Sequence, residues 1–161
     1  LERIFMGHAH FYGPDDAAAR RAGFGPDPLS ANFSPEYLAA AFARKPKQPV
    51  KAILMDQSQV AGIGNAYSDE ILVRAKIYPL RPAGSLTSDE ILRVVNAARE
   101  VLERSVSMGG DNDYTDLFGA PGCFSTTVHS QAVCQDCGGV VRQVKGGGRT
   151  TYYCESCQPI P

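Results

Sequence analysis

Four cysteines near the C-terminus constrain this chain more than anything else in it. They run Cys134-Gln-Asp-Cys137, sixteen intervening residues, then Cys154-Glu-Ser-Cys157. Each Cys-x-x-Cys sets two thiols on one tight turn, and a hairpin between the pairs folds one turn onto the other. Four thiolates then converge as a closed tetrahedral set, the arrangement of one structural zinc ion with no position open for chemistry. A tail of about thirty residues cannot bury enough apolar surface to fold alone, and zinc binding supplies ~10–16 kcal/mol. A redox pair of the thioredoxin kind needs one Cys-x-x-Cys, and two at this spacing argue against it. The odd cysteine count and the paired spacing point to metal in a reducing compartment and away from a disulfide scaffold. Cys123, in "PGCF", lies outside the set and reads as a small buried hydrophobe.

Ahead of the cysteines the pattern is helical. Ser34 is placed to cap a helix that has Pro35 at its first position and Tyr37, Leu38, Ala41 and Phe42 on one face. The basic run Arg44, Lys45 and Lys47 reads as a solvated face, and Val50–Met55 and Ala66–Lys76 as two short helices. Thr87 and Glu90 form a capping box for the longest helix, whose core stripe is Ile91, Val95, Ala98, Leu102 and Val106, with Gly109–Gly110 as its stop. From Val128 the composition changes to β-formers around a "KGGGR" tip, which reads as a hairpin. The first 33 residues are loop-rich, with a short basic helix expected over "AAARRA". The fold class expected is mainly α: a bundle of helices followed by a small β-hairpin held by four cysteines. The division expected is 1–28 as a residual linker or the end of a preceding domain, 29–127 as the helical domain and 128–161 as the metal-bound hairpin.

The stretch "VAGIGNAYSDE" sets two glycines and an asparagine at the head of a helix. A helix N-terminus offers unpaired amides and a partial positive charge. Glycines ahead of it let a phosphate reach those amides without meeting a Cβ. A tight turn with Asn65 as helix cap is the other reading, and spacing alone does not separate the two. A net charge of −1 excludes a global cationic field, so any polyanion site must be built locally. No apolar run approaches the ~18–20 residues a bilayer span needs. His8, His10 and His129 show no ligand spacing with the cysteines.

Several motifs, in order, resemble the formamidopyrimidine-DNA glycosylase / endonuclease VIII family. They are "GPDPLS", "LMDQ", "VAGIGNAY", Glu70 inside the helix, "IYPLRPA", "GG…DLFGAPGCF" and the four-cysteine hairpin ending in "CQ", together covering roughly residues 24–158. The resemblance implies a helix–two-turn–helix domain with a zinc finger, the half of a bifunctional glycosylase/AP lyase that grips damaged double-stranded DNA around a flipped-out base. It implies phosphate contacts at Asn65, with Gly62 and Gly64 shaping its turn, at Lys51 and at Arg149. It places Glu70 near the active site of the parent enzyme, and it makes Cys134, Cys137, Cys154 and Cys157 the zinc ligands. In that family the nucleophile is the amine of an N-terminal proline in a Pro-Glu pair. This chain opens on "LERIF", so the expectation is a fragment, inactive alone, from a monomeric bacterial cytoplasmic enzyme.

Two stretches depart from the family pattern. "VHSQAVC" stands where a Tyr/His-Gly-Arg stretch is usual, and the loop "GGDNDYTDLFG" is acidic, so lesion preference does not carry over. Two other functions compete. One is a noncatalytic zinc-containing nucleic-acid binding module; some small-subunit ribosomal proteins also set Gly-Ile-Gly before a helix, but with a strongly basic tail. The other is a zinc-stabilised protein-interaction domain, which the near-zero charge would suit.

Overall fold

The computed structural model describes residues 22–146 and 148–160, together with Gly13, Asp15 and Asp16. The helix expected over "AAARRA" therefore lies, apart from Ala22, outside the described residues.

From residue 22 on, the described residues form four α-helices in order, α1 (Pro35–Arg44), α2 (Val50–Leu54), α3 (Asn65–Ala75) and α4 (Ser88–Ser107), with a 3-10 turn at Ala83–Ser85 between the last two. The caps are those the sequence offers. Ser34 Oγ accepts from Tyr37 N ahead of α1, and Thr87 and Glu90 close the capping box of α4. Met108 caps the far end of α4, and Gly109 and Gly110 turn the chain away at φ 74° and 93°. Two antiparallel strands, β1 (Val141–Gly146) and β2 (Arg149–Cys154), make the hairpin, in a register that pairs Val141 with Cys154 and Gly146 with Arg149. No helix among the described residues is long and apolar enough to cross a membrane.

The main core gathers Phe33, Leu38 and Phe42 with Val50, Ile53, Ile63, Leu72, Val94 and Val95, all at most 1% exposed. A second, smaller core joins Val128, Cys134, Val141 and Cys154 to Val73. Helix α3 thus belongs to both, with Ile71, Leu72 and Ala75 in the first and Val73 in the second. It is buried on nearly every side, including Ser68, Asp69 and Glu70.

Two expectations are corrected. Val106 does not belong to the α4 stripe: it is 71% exposed, while Val94 and Val101 take the inner positions and Leu102 packs at the margin. The buried face is centred on Val94, Ala98, Val101 and Ser105, so two successive four-residue steps, Ala98 to Leu102 and on to Val106, carry the last position off it on a helix of 3.6 residues per turn. Cys123 is exposed and not a buried hydrophobe. Phe124 fills the core beside it, and an extended chain that turns one side chain inward turns its neighbour out.

Candidate functional site

The hairpin is tied to the helical domain by polar side chains that reach across the joint. Glu70 accepts three backbone amides in a row, with Oε2 on Thr127 N at 2.6 Å and Oε1 on Val128 N at 3.0 Å and His129 N at 2.9 Å. Asp69, fully buried, takes Lys51 Nζ on Oδ1 at 2.6 Å, while Oδ2 meets His129 Nδ1 at 2.8 Å and accepts from Tyr152 N at 3.2 Å. Gln158 donates to Ile77 O at 2.7 Å and accepts from Cys154 N at 2.9 Å. Asn65 Nδ2 donates to Thr150 O at 3.0 Å. Buried carboxylates are tolerable only when paired or hydrogen-bonded, and here the donors come from Lys51, β2 and the linker around Thr127–His129, which joins the helices to the hairpin.

The four hairpin cysteines meet beneath these ties. All four Sγ atoms lie within 4.8 Å of one another. Three of the separations are Cys137–Cys157 at 3.3 Å, Cys137–Cys154 at 3.5 Å and Cys134–Cys157 at 4.0 Å. A tetrahedron with ~2.3 Å metal–sulfur bonds has edges of about 3.8 Å, so the set fits one metal ion. The Gly139 amide, 3.4 Å from Cys137 Sγ, draws that thiol down to about 7, whereas burial pushes Cys134 and Cys157 up. A Cβ on Gly139 would meet Ser156 Oγ at 2.8 Å and two of the sulfurs at 3.2 Å, so the turn closes only around a bare backbone.

The other arrangement is a cleft of about 540 Å³ between α2 and the start of β2. Lys51, Ala52, Met55, Leu80, Arg149 and Thr151 are among its lining residues. Arg149, exposed at the first position of β2, has no ion-pair partner among the described residues. Lys51 enters from the other wall, its side chain only 5% exposed and its Nζ held by Asp69. Burial lowers the Lys51 pKa below the usual lysine range, and the Asp69 carboxylate opposes that shift. Asp56, at the rim, is held down to about 2 by hydrogen bonds from Lys45 and Ser58.

The glycine turn lies just ahead of α3. Gly62 sits at φ 82°, a conformation that disfavours any other residue. Gly64 is the N-cap of α3 with φ −103° and ψ −169°, which every residue adopts, and no side chain caps the helix. A Cβ there would meet no protein atom within 4 Å. Among the described residues, neither backbone conformation nor packing calls for glycine at position 64, and the first-turn amides meet no side-chain acceptor. The reading of Asn65 as helix cap is corrected: its side chain crosses to Thr150, and its Oδ1 is buried without a partner among the described residues. That bond sets Asn65 one residue from Arg149. Lys51 and Arg149 thus line one cleft, and the first residue of α3 is bonded to the backbone next to Arg149; cations, helix-terminal amides and an amide side chain are the groups that suit an anion with several oxygens.

Glu70 stands apart from this cleft, its carboxylate engaged by the linker. Sequence reasoning left out Asp69, His129 and Gln158. Asp69 carries no signal of its own in "YSDEIL", and the resemblance places Glu70 near an active site without showing that it accepts the amides of Thr127–His129. Gln158 was visible as the end of "CQ" without its role.

Residues 24–115 match the family model described as the formamidopyrimidine-DNA glycosylase H2TH domain. The chain is 44% identical over 140 residues to a formamidopyrimidine-DNA glycosylase of Dechloromonas aromatica, an alignment covering 83% of the chain and 50% of that protein. With a Thermus thermophilus enzyme of the same name it shares 39% over 155 residues, covering 86% of the chain and 58% of the relative. It is similar to the crystal structure of the MutM (Fpg) protein from Thermus thermophilus, with TM-score 0.82 and 36% identity over 91% of the chain and 57% of that protein. A Lactococcus lactis Fpg in complex with DNA containing an abasic site gives TM-score 0.82 at 28% identity, covering 91% and 56%. The chain spans about half the length of the curated relatives it matches.

Proposed function

This chain belongs to the formamidopyrimidine-DNA glycosylase family, and we propose that it is the DNA-gripping part of a base-excision-repair enzyme. The whole enzyme excises an oxidised base and cuts the strand at the resulting abasic site. It works as a monomer on chromosomal DNA in a bacterial cytoplasm, and the nucleophile lies outside these 161 residues. Asn65 and the amides that open α3 take one backbone phosphate of the damaged duplex, and Lys51 and Arg149 take phosphates beside it. Cys134, Cys137, Cys154 and Cys157 hold one zinc ion, which fixes the hairpin that carries Arg149. Glu70 supports this grip from beneath, through the linker, and through that linker acts near the active centre of the parent.

The observation that carries the reading is Gly64. Glycine weakens a chain wherever another residue would serve, and here neither conformation nor any neighbouring atom among the described residues requires it. Space left open at an uncapped helix N-terminus, next to two cations, is space for a phosphate. Gly64→Ser tests this. Serine is as good an N-cap as glycine or better by a few tenths of a kcal/mol, so the variant should melt at the wild-type temperature or slightly above. Its hydroxyl would occupy the first-turn amides and crowd the phosphate, so duplex affinity should fall about tenfold, ~1.4 kcal/mol. Unchanged affinity with unchanged melting would reject the cradle.

A further inference from the structure

The two cations of the cleft come from different modules, Lys51 from α2 and Arg149 from β2, yet one buried carboxylate reaches both modules. Asp69 Oδ1 holds Lys51 Nζ at 2.6 Å. Its Oδ2 accepts from Tyr152 N at 3.2 Å, three residues along the strand that begins at Arg149. The same oxygen meets His129 Nδ1 at 2.8 Å in the linker, and the His129 ring packs edge-on against Tyr152 with centroids 4.8 Å apart. Asp69 is 0% exposed and does not itself line the cleft. A lone lysine on a flexible stem would have to be ordered each time an anion bound. Lys51 is already ordered, and by the group that positions β2.

We infer that Asp69 is a positioning residue for DNA binding: it fixes Lys51 and the β2 strand relative to each other, so that the spacing between Lys51 and Arg149 matches the phosphates before DNA arrives. This rests on the reading that Lys51 meets a phosphate. It also accounts for an acidic residue placed behind a site for anions. Removing Asp69 relieves a repulsion but releases the cation that does the binding.

The two effects have opposite signs, which makes the inference testable on the zinc-loaded chain with a duplex oligonucleotide holding an abasic-site analogue. Asp69→Asn conserves shape and raises net charge by one, so Coulomb attraction alone predicts tighter binding. Positioning predicts about tenfold weaker binding, and a log–log salt slope smaller by ~0.9, as though one phosphate contact had gone. Lys51→Gln supplies the reference and should lower the slope equally. The double variant Lys51→Gln/Asp69→Asn, in which two neutral amides can still bond, should bind like Lys51→Gln alone. Tighter binding by Asp69→Asn with an unreduced slope overturns the inference, as does a double variant markedly weaker than Lys51→Gln. Should Asp69→Asn alone not fold, judged by melting and zinc content, the comparison of the double variant with Lys51→Gln decides. If Lys51→Gln binds like the wild type, the phosphate contact itself has failed and the inference falls with it. Weakening by Lys51→Gln without weakening by Asp69→Asn overturns the positioning role alone.

Discussion

Asn65 joins two parts of the molecule and also faces the proposed phosphate, so its truncation should be read in two currents. One amide hydrogen is committed to Thr150 O, and losing that bond should cost about 1 kcal/mol of stability. In the proposed grip the side chain also donates to a phosphate oxygen, and losing a donor to a charged group would cost ~1.5–3 kcal/mol of affinity. Asn65→Ala should therefore lower both melting temperature and duplex affinity. Because a neutral residue replaces a neutral one, the salt dependence of binding should stay as it was. Measuring melting and affinity at two salt concentrations separates the roles: lower melting with unaltered affinity would leave Asn65 as a tie between α3 and β2 and nothing more. At this scale the sequence was informative about residue type and less so about partner. Ser34, Thr87 and Glu90 cap as their spacing says, because capping is settled within one turn. Asn65 stood in the right place to cap, but it bonds to a residue 85 positions away. No local rule reaches that far.

Among the elements, α3 bears the most constraint, because it packs into both cores and carries the two carboxylates that receive the linker and β2. Its extent was readable from the glycines before it and the apolar run within it. Its burial was not, since Ser68, Asp69 and Glu70 resemble a solvated turn until the linker folds over them. The cysteine hairpin was legible for the opposite reason: metal geometry dictates ligand spacing, and spacing survives in sequence. This division predicts what chelation does. Without metal the small core of Val128, Cys134, Val141 and Cys154 cannot hold the hairpin. The helices keep their own core, so most of the helical circular dichroism should remain. Asp69 and Glu70 would lose bonds from Tyr152, Thr127, Val128 and His129, and unsatisfied buried carboxylates are costly. The remaining helices should therefore melt several degrees lower after chelation and recover on adding zinc. A helical melting curve indifferent to chelation would mean that these bonds do not couple the two parts.

Over the 161 residues the net charge is −1, which gives no general attraction for DNA, so the proposed binding rests on a few local groups. Opening an abasic site by a Schiff base requires an uncharged amine that can reach the sugar. Burial lowers the pKa of Lys51, but its Nζ is paired with Asp69 and, in the proposed grip, is turned to a backbone phosphate and not to the sugar carbon, so it is no substitute nucleophile. Borohydride treatment of the 161-residue chain with abasic duplex should consequently trap no covalent adduct; a trapped adduct would place the chemistry within these residues. The central claim, that these groups grip the phosphate backbone, is tested most directly by the salt dependence of duplex affinity for the zinc-loaded chain and its Arg149→Ala variant. The wild type should lose affinity linearly in log–log form as salt rises. The variant should bind more weakly with a slope smaller by ~0.9, one phosphate contact fewer. Equal slopes for the two proteins, or a wild-type affinity indifferent to salt, would contradict it.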